Sequence, residues 1–120
     1  MAYTITRIPD GNLSLGNLNG ELVNLQPAAS DYPTGGYAIT SQEDVLNDSS
    51  LTANTSLYKI LTALPAGGQG GYSPRWNPTT QKLQVFVVDA AAVATQYPLL
   101  EATAGTDLSA YLFQLLLIGL

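Results

Sequence analysis

The chain has 120 residues, nine of them acidic and four basic, and a net charge of −5. A chain of this length suits one domain, and its four basic residues lie too far apart to form a patch, so nucleic acid is not an expected partner. The sequence has no histidine and no cysteine, which excludes histidine-based triads, thiol chemistry and disulfides.

Charged side chains make up 11% of the residues, against about 25% in an average soluble domain. Hydrophobic residues make up 46%, enough to predict a folded core rather than a disordered tail. Much of the surface is therefore expected to be neutral, which lowers the desolvation penalty of covering it with a partner. The alternative is a small acidic protein whose neutral polar surface has no partner.

The first predicted strand is Tyr3 to Ile8, where β-forming residues alternate with threonine up to a turn at residues 9–11. Further along, Asn19-Gly20 is typical of a type I′ hairpin turn. It predicts a short hairpin with strands over residues 13–18 and 21–25.

The middle of the chain alternates loops with short elements. Residues 26–36 contain two prolines and paired glycines, which predict a surface loop. Residues 37–40 return to strand character, and Ser41 followed by acidic residues predicts the N-cap of a short helix. Residues 57–64 fit both helical and strand periodicity, and strand is favoured.

The clearest hairpin lies in the C-terminal half, where residues 72–76 and 81–89 flank the turn sequence of residues 77–80. A helical turn is possible at residues 90–94. The last predicted strand, residues 111–120, is apolar on both faces, so it should lie in the centre of a sheet or under a partner.

Short strands separated by turn signals predict an all-β fold: a compact antiparallel β-sandwich or barrel with at most one or two short helical turns. We expect one domain over residues 1–120, with a strand, hairpin and loop in residues 1–36 and the main body in 37–120. The first residues lack the pattern of a secretory signal and no segment is apolar enough to span a membrane. We therefore expect no membrane partner and synthesis in the cytoplasm.

Few side chains suggest chemistry. Glu43, Asp44 and Asp48 form the closest carboxylate cluster and would be the candidates for a small hydrolase. The cluster lacks the spacing of a calcium loop, and solvated loop charges are the favoured interpretation. The glycine-rich residues 67–71 lack the Lys-Ser/Thr pair of a phosphate-binding loop. No enzyme activity, cofactor or metal is expected.

Aromatic residues are the remaining candidates for function. Trp76 and the seven tyrosines could form a platform for carbohydrate, because aromatic faces stack on sugar rings. Aromatic side chains of small β-proteins serve more often as core or subunit anchors. The candidate contact residues are Tyr3, Ile5, Ile8, Tyr32, Tyr37, Tyr72, Trp76, Tyr111 and Phe113.

Four sequence features of the C-terminal half form a pattern: Gly70-Gly71-Tyr72, Lys82-Leu83-Gln84-Val85, the turn Gly105-Thr106-Asp107-Leu108-Ser109 within residues 101–109, and a final Leu116-Leu117-Ile118-Gly119. Over residues 37–120 the chain resembles the small capsid decoration, or cement, proteins of tailed bacteriophages. The resemblance implies a β-sandwich or barrel, often trimeric, on the outer capsid surface where coat subunits meet. Residues 26–36 and 47–56 have no counterpart in this pattern.

The sequence therefore predicts a structural virion protein without catalytic activity, which stabilises the head by binding its outer surface. Its expected partners are the major capsid protein and further copies of itself. Residues 3–8 and the neutral loops are expected to touch the coat, and residues 111–120 to anchor the core or the trimer. The alternatives are a carbohydrate-binding surface module of a virion and, behind it, a small carboxylate hydrolase.

Overall fold

A computed structural model describes residues 3–68, 70–88 and 99–120. It confirms the predicted all-β sandwich: two antiparallel sheets enclose one core, and one short helix accompanies them. Sheet I has the strand order β1-β2-β8-β4, and sheet II consists of β6 with β3, β5 and β7 paired to it. The elements are β1 Tyr3–Leu15, β2 Leu18–Pro27, β3 Tyr37–Ala38, α1 Gln42–Asn47, β4 Ile60–Pro65, β5 Tyr72–Asn77, β6 Lys82–Val88, β7 Leu99–Glu101 and β8 Phe113–Gly119.

Strand β8 lies in the centre of sheet I, between β2 and β4, as its apolar sequence predicted. Phe113, Leu115 and Leu117 are buried against sheet II, while the residues between them face the other side. In this central position neighbours satisfy the backbone of β8 on both edges, and their side chains flank Leu116 and Ile118, which are partly buried on the outer side.

The β5–β6 hairpin of sheet II is also confirmed, with a register that runs from Tyr72 opposite Val87 to Asn77 opposite Lys82. The Asn77 side-chain oxygen accepts hydrogen bonds from the amides of Thr79 and Thr80, which holds the turn. Strand β3 pairs with one end of β6 and β7 with the other. Strand β6 is therefore the central strand of sheet II, to which the other three pair.

Three tyrosine rings form an edge-to-face ladder inside the sandwich. The centroid of Tyr37 lies 5.0 Å from that of Tyr3 and 5.2 Å from that of Tyr32. The Tyr32 hydroxyl donates to Glu101 Oε2 (2.7 Å) and accepts from the Val85 amide (3.0 Å). This ladder ties the first strand and the residue 28–36 loop to sheet II.

Burial of these phenols predicts an alkaline unfolding transition. Burial raises the pKa of Tyr37 to about 12, with Asp31 contributing; burial and then the bond to Glu101 also raise the pKa of Tyr32. Since a free tyrosine ionises near about pH 10, the stability from these neutral phenols is complete below that pH and is lost as the pH rises through about 12. Tyrosinate absorbance and circular dichroism should change together there; seven tyrosines titrating near pH 10 with the fold intact would contradict this.

Helix α1 begins with the predicted cap. The Ser41 side-chain oxygen accepts from the Asp44 amide (3.3 Å), and the Asp44 carboxylate accepts from the Ser41 amide (2.8 Å). This reciprocal pair is a capping box, which satisfies amides left free at a helix N-terminus. The prediction of a short helix after Ser41 is confirmed.

Two predictions for the N-terminal region were wrong. The β1–β2 turn lies at residues 16–17, where Gly16 has φ +67°, and Asn19 and Gly20 lie inside β2. Gly20 is there for close packing, since a Cβ on it would lie 3.1 Å from the Leu13 Cβ. The predicted turn at residues 9–11 is instead an irregularity within β1, between Arg7 and Asn12.

One predicted strand is shorter than expected, and one predicted helical turn cannot be compared with the structure. The strand expected over residues 57–64 begins at Ile60. The helical turn expected at residues 90–94 lies outside the described residues, and so does the end of the hairpin strand at residue 89.

Candidate contact surface

The register of sheet I places alternate residues of four strands on the side that faces away from the core. One row across this side joins Leu13, Gly20, Ile118 and Thr62, and the next row joins Leu22, Leu116 and Leu64. We define the outer face of sheet I by the residues that share this orientation: Thr4, Thr6, Leu13, Gly20, Leu22, Asn24, Gln26, Thr62, Leu64, Gln114, Leu116 and Ile118.

The outer face of sheet I has an apolar centre and a neutral polar border. Leu13 is 44% exposed and Leu64 is 51% exposed, and the leucines and isoleucine between them are partly exposed. Threonine, asparagine and glutamine side chains complete the face, and none of its twelve residues is charged. A face of this kind loses little solvation energy when another protein covers it.

The described charged side chains lie elsewhere. Arg75 and Lys82 belong to sheet II, where the Arg75 guanidinium lies 5.6 Å from the centre of the Phe86 ring. Asp31, Asp48 and Asp107 are exposed in loops. The neutrality of the outer face of sheet I is therefore a local property, and it sets this side apart from a chain whose net charge is −5.

Glu21 is the one buried carboxylate among the described residues, with only 1% of its surface exposed. It lies on the inner side of β2, where Oε2 accepts from the Thr55 hydroxyl (2.7 Å), the Ser56 amide (2.9 Å) and the Ser56 hydroxyl (2.8 Å). Its other oxygen lies 3.5 Å from Arg7 Nε. These contacts fasten the segment before β4 to sheet I, so Glu21 has a structural role.

Glu21 was not among the predicted site residues, although the sequence contains a signal for it. Glu21, Val23 and Leu25 alternate along β2 and all point into the core. An acidic residue on the apolar side of a strand predicts a buried and partnered carboxylate, but the hairpin turn had been placed at the wrong dipeptide.

The acidic cluster has structural explanations. Asp44 belongs to the capping box, and hydrogen bonds from the Ser50 hydroxyl and amide lower the pKa of the exposed Asp48. Within residues 3–68, 70–88 and 99–120, no group of three or more histidine, cysteine, aspartate or glutamate side chains could hold a metal ion.

The structure separates the predicted contact residues into two groups. Tyr32, Tyr37 and Phe113 are buried within the single chain, so they offer a partner almost no area. The others are partly exposed: Tyr3, Ile5, Ile8, Tyr72, Trp76 and Tyr111.

Trp76 does not form an open platform. It lies opposite Leu83 on the side of the β5–β6 hairpin that packs on the core. Its indole nitrogen is buried and has no hydrogen-bond partner in the described part of the chain. The rings of Tyr72 and Tyr111 pack against each other instead, with centroids 5.6 Å apart. This arrangement favours packing over sugar stacking.

A groove runs beside the free edge of β1 and has a volume of about 430 Å³. A smaller cavity of about 220 Å³ lies near the β1–β2 turn, between Leu13, Ser56 and Leu120. Among the side chains that the structure describes, no charged one lines either of them. The groove is lined by Tyr3, Thr4, Ile5, Ala38, Thr40, Leu51, Thr52 and Asn54.

Fold and surface together define a small all-β sandwich with a neutral, partly apolar face on one sheet. No family model matches the chain, and no curated protein and no solved structure is significantly similar to it. Among the described residues no helix is long and apolar enough to cross a membrane.

Proposed function

We propose that this protein is a non-catalytic structural component of a virion, which binds the outer surface of the capsid and stabilises the head as a decoration protein. The observation that carries the proposal is the outer face of sheet I, whose twelve residues defined above are all uncharged. The resemblance of residues 37–120 to decoration proteins of tailed bacteriophages supports the choice of partner.

The physical basis is contact area. Exposed leucines at both ends of the apolar rows, Leu13 and Leu64, gain free energy of about 25 cal/mol for each Å² removed from water. The neutral polar border can exchange hydrogen bonds with the coat without burying a charge. Such a face binds through shape and area and requires no catalytic group.

Repetition on the shell strengthens this weak contact. A capsid displays many identical sites, and a ligand that binds the assembled state but not its free subunits stabilises that state by mass action. If the protein binds as a homo-oligomer, several faces attach at once, and avidity adds to the affinity of each. The resemblance predicts a trimer, which stays a prediction.

The proposal predicts that charges on the outer face of sheet I abolish capsid binding. We expect the double variant Leu13→Glu, Leu64→Glu to lower affinity at least about a hundredfold, because two carboxylates would be buried without partners and each tenfold loss needs only about 1.4 kcal/mol. Both side chains are exposed in the free protein, so folding should be retained. Co-sedimentation with capsids assembled from the coat protein of the same genome measures the effect.

Leu46→Glu is the matched control. Leu46 is 74% exposed on α1, away from the outer face of sheet I, and this variant should bind capsids like the natural chain. Equal binding by the double variant and the control would contradict the proposal. Failure of the natural chain to bind capsids, together with glycan binding that is lost in Trp76→Ala, would support the carbohydrate alternative.

A further inference from the structure

Strand β1 forms one border of sheet I, and among the described strands it pairs through only one of its two edges. Its partner is β2. In the described part of the chain, no backbone hydrogen bond reaches the other edge of residues 3–7. This edge is a row of backbone donors and acceptors open to another strand.

The direction of the backbone groups follows from the β1–β2 turn. The two-residue turn makes Leu15 and Leu18 the closing hydrogen-bonded pair, and pairs of this type alternate along an antiparallel ladder. Even-numbered residues of β2 therefore direct their backbone groups to β1, and odd-numbered residues direct theirs to β8. The Ala66 amide donates to the Gln114 carbonyl, which confirms the same alternation one strand further on.

The alternation identifies the open groups on β1. Thr4 and Thr6 lie opposite even-numbered residues of β2 and therefore bond to β2. The odd-numbered residues of β2 lie opposite Tyr3, Ile5 and Arg7. The amides and carbonyls of these three β1 residues therefore point to the free edge.

Only one half of this edge is protected against pairing. The other half carries the charged Arg7, whose side chain contacts Glu21, and after it a register irregularity that contains Pro9. Charge, proline and bulges are the usual devices that prevent edge pairing. Residues 3–6 have none of these: the sequence Tyr-Thr-Ile-Thr is regular, uncharged and rich in β-formers.

The groove of about 430 Å³ lies beside this unprotected half, and its lining also includes Leu51, Thr52 and Asn54. Its lining is uncharged, so it favours an uncharged segment. Tyr3 and Ile5, whose backbone groups are open, are among its lining residues. The edge of residues 3–5 therefore borders open space in the described part of the chain.

We propose that this strand is β1 of a second copy of the chain, paired antiparallel about a two-fold axis at Ile5. Residues 3–6 have the neutral, alternating character that the groove favours, and an edge paired with itself about a two-fold axis matches every donor with an acceptor. Ile5 then forms a hydrogen-bonded pair with Ile5 of the partner subunit. Thr4 lies opposite Thr6 of the partner subunit in a non-hydrogen-bonded pair.

The pairing joins the two copies of sheet I into one sheet of eight strands. Their outer faces become continuous, which doubles the neutral surface described above. The contact involves about five residues a side, whereas a stable interface has roughly 20–30. The dimer should therefore be weak in dilute solution, and a covalent cross-link is needed to detect it.

Cysteine cross-linking tests the register directly, because the natural chain contains no cysteine. Thr4 and Thr6 are exposed, so Thr4→Cys and Thr6→Cys should both fold. In the proposed register residue 4 of one copy lies about 4.5 Å, between Cα atoms, from residue 6 of the other, which is within disulfide range. Mixing the two variants under mild oxidation should give a disulfide-linked heterodimer.

Each variant alone provides the control. Two copies of residue 4 are offset by two positions and lie about 7–8 Å apart, which is too far for a disulfide. We expect the mixture to cross-link at least about tenfold faster than either single variant. A mixture of Thr79→Cys and Thr80→Cys, which are exposed in the β5–β6 turn, measures random collision.

Three results would overturn the pairing: cross-linking of either single variant as fast as the mixture, a mixture no faster than the turn control, or a stable trimer of the natural chain by light scattering. The capsid test is independent, because it alters Leu13, at the other end of β1, and Leu64, and leaves the proposed pairing segment of residues 3–7 unchanged. Failure of this pairing with capsid binding intact therefore overturns the inference alone.

Discussion

Replacing Glu21 with alanine is expected to lower the free energy of unfolding by about 3–4 kcal/mol, because it removes three charge-assisted hydrogen bonds and leaves buried donors without an acceptor. The Thr55 side chain is buried and has no alternative acceptor among the contacts of this cluster. The loss would be a large part of the stability of a small domain. Urea unfolding followed by far-ultraviolet circular dichroism measures it.

The variant Arg7→Ala distinguishes the contribution of the Glu21 hydrogen bonds from that of the Arg7–Glu21 ion pair, because it removes only the ion pair. The Arg7 side chain is 63% exposed, and exposed ion pairs contribute at most about 1 kcal/mol. We therefore expect this variant to lose less than about 1 kcal/mol, although it removes the same ion pair. Equal losses in Arg7→Ala and Glu21→Ala would show that the ion pair, and not the bonds to residues 55 and 56, stabilises the fold.

Local sequence patterns predicted those elements whose local and tertiary preferences agree. The β5–β6 hairpin has alternating apolar residues on both sides of a turn in which Asn77 binds the following amides. Strand β8 is apolar on both faces and lies in the centre of its sheet. The Ser41 cap needs only residues 41–44. The hairpin and the cap are local in sequence, and β8 is recognised from its own apolar sequence, although its central position requires β2 and β4.

The N-terminal turn was mispredicted because two dipeptides suit it equally by local chemistry. Gly16-Asn17 and Asn19-Gly20 both contain the residues that hairpin turns favour. Pairing with β8 selects between them, because Asn19 and Gly20 lie opposite Gly119 and Ile118. That partner is a hundred residues away, and no local pattern contains it.

The outer face of sheet I could not be predicted for the same reason. Low charge content predicted a neutral surface somewhere, but the face combines alternate residues from four strands that are distant in sequence. A register shift by one residue in any strand would replace its contribution with core residues. The aromatic candidates illustrate the same limit: Tyr32 and Tyr37 are anchors, as expected of aromatic residues, but they lie in the core of the single chain.

Gly119→Ala is the second substitution with a large expected effect, a loss of about 3 kcal/mol or more, or about 10 °C in melting temperature. A Cβ at this position would collide with the backbone carbonyl of Lys59. That carbonyl cannot move aside, because it accepts from the Leu120 amide (2.9 Å) while the Tyr58 amide donates to the Leu120 carbonyl (2.8 Å). Differential scanning calorimetry measures the shift.

Gly71→Ala is the matched control, because it isolates the backbone contribution. Gly71 has φ +83° with no atom near its missing Cβ, so alanine there carries only the conformational penalty of about 1 kcal/mol. Gly119 is not in the left-handed region, so its penalty is steric and acts on β4 and β8 together. If the two variants melt at the same temperature, β4 does not approach β8 this closely.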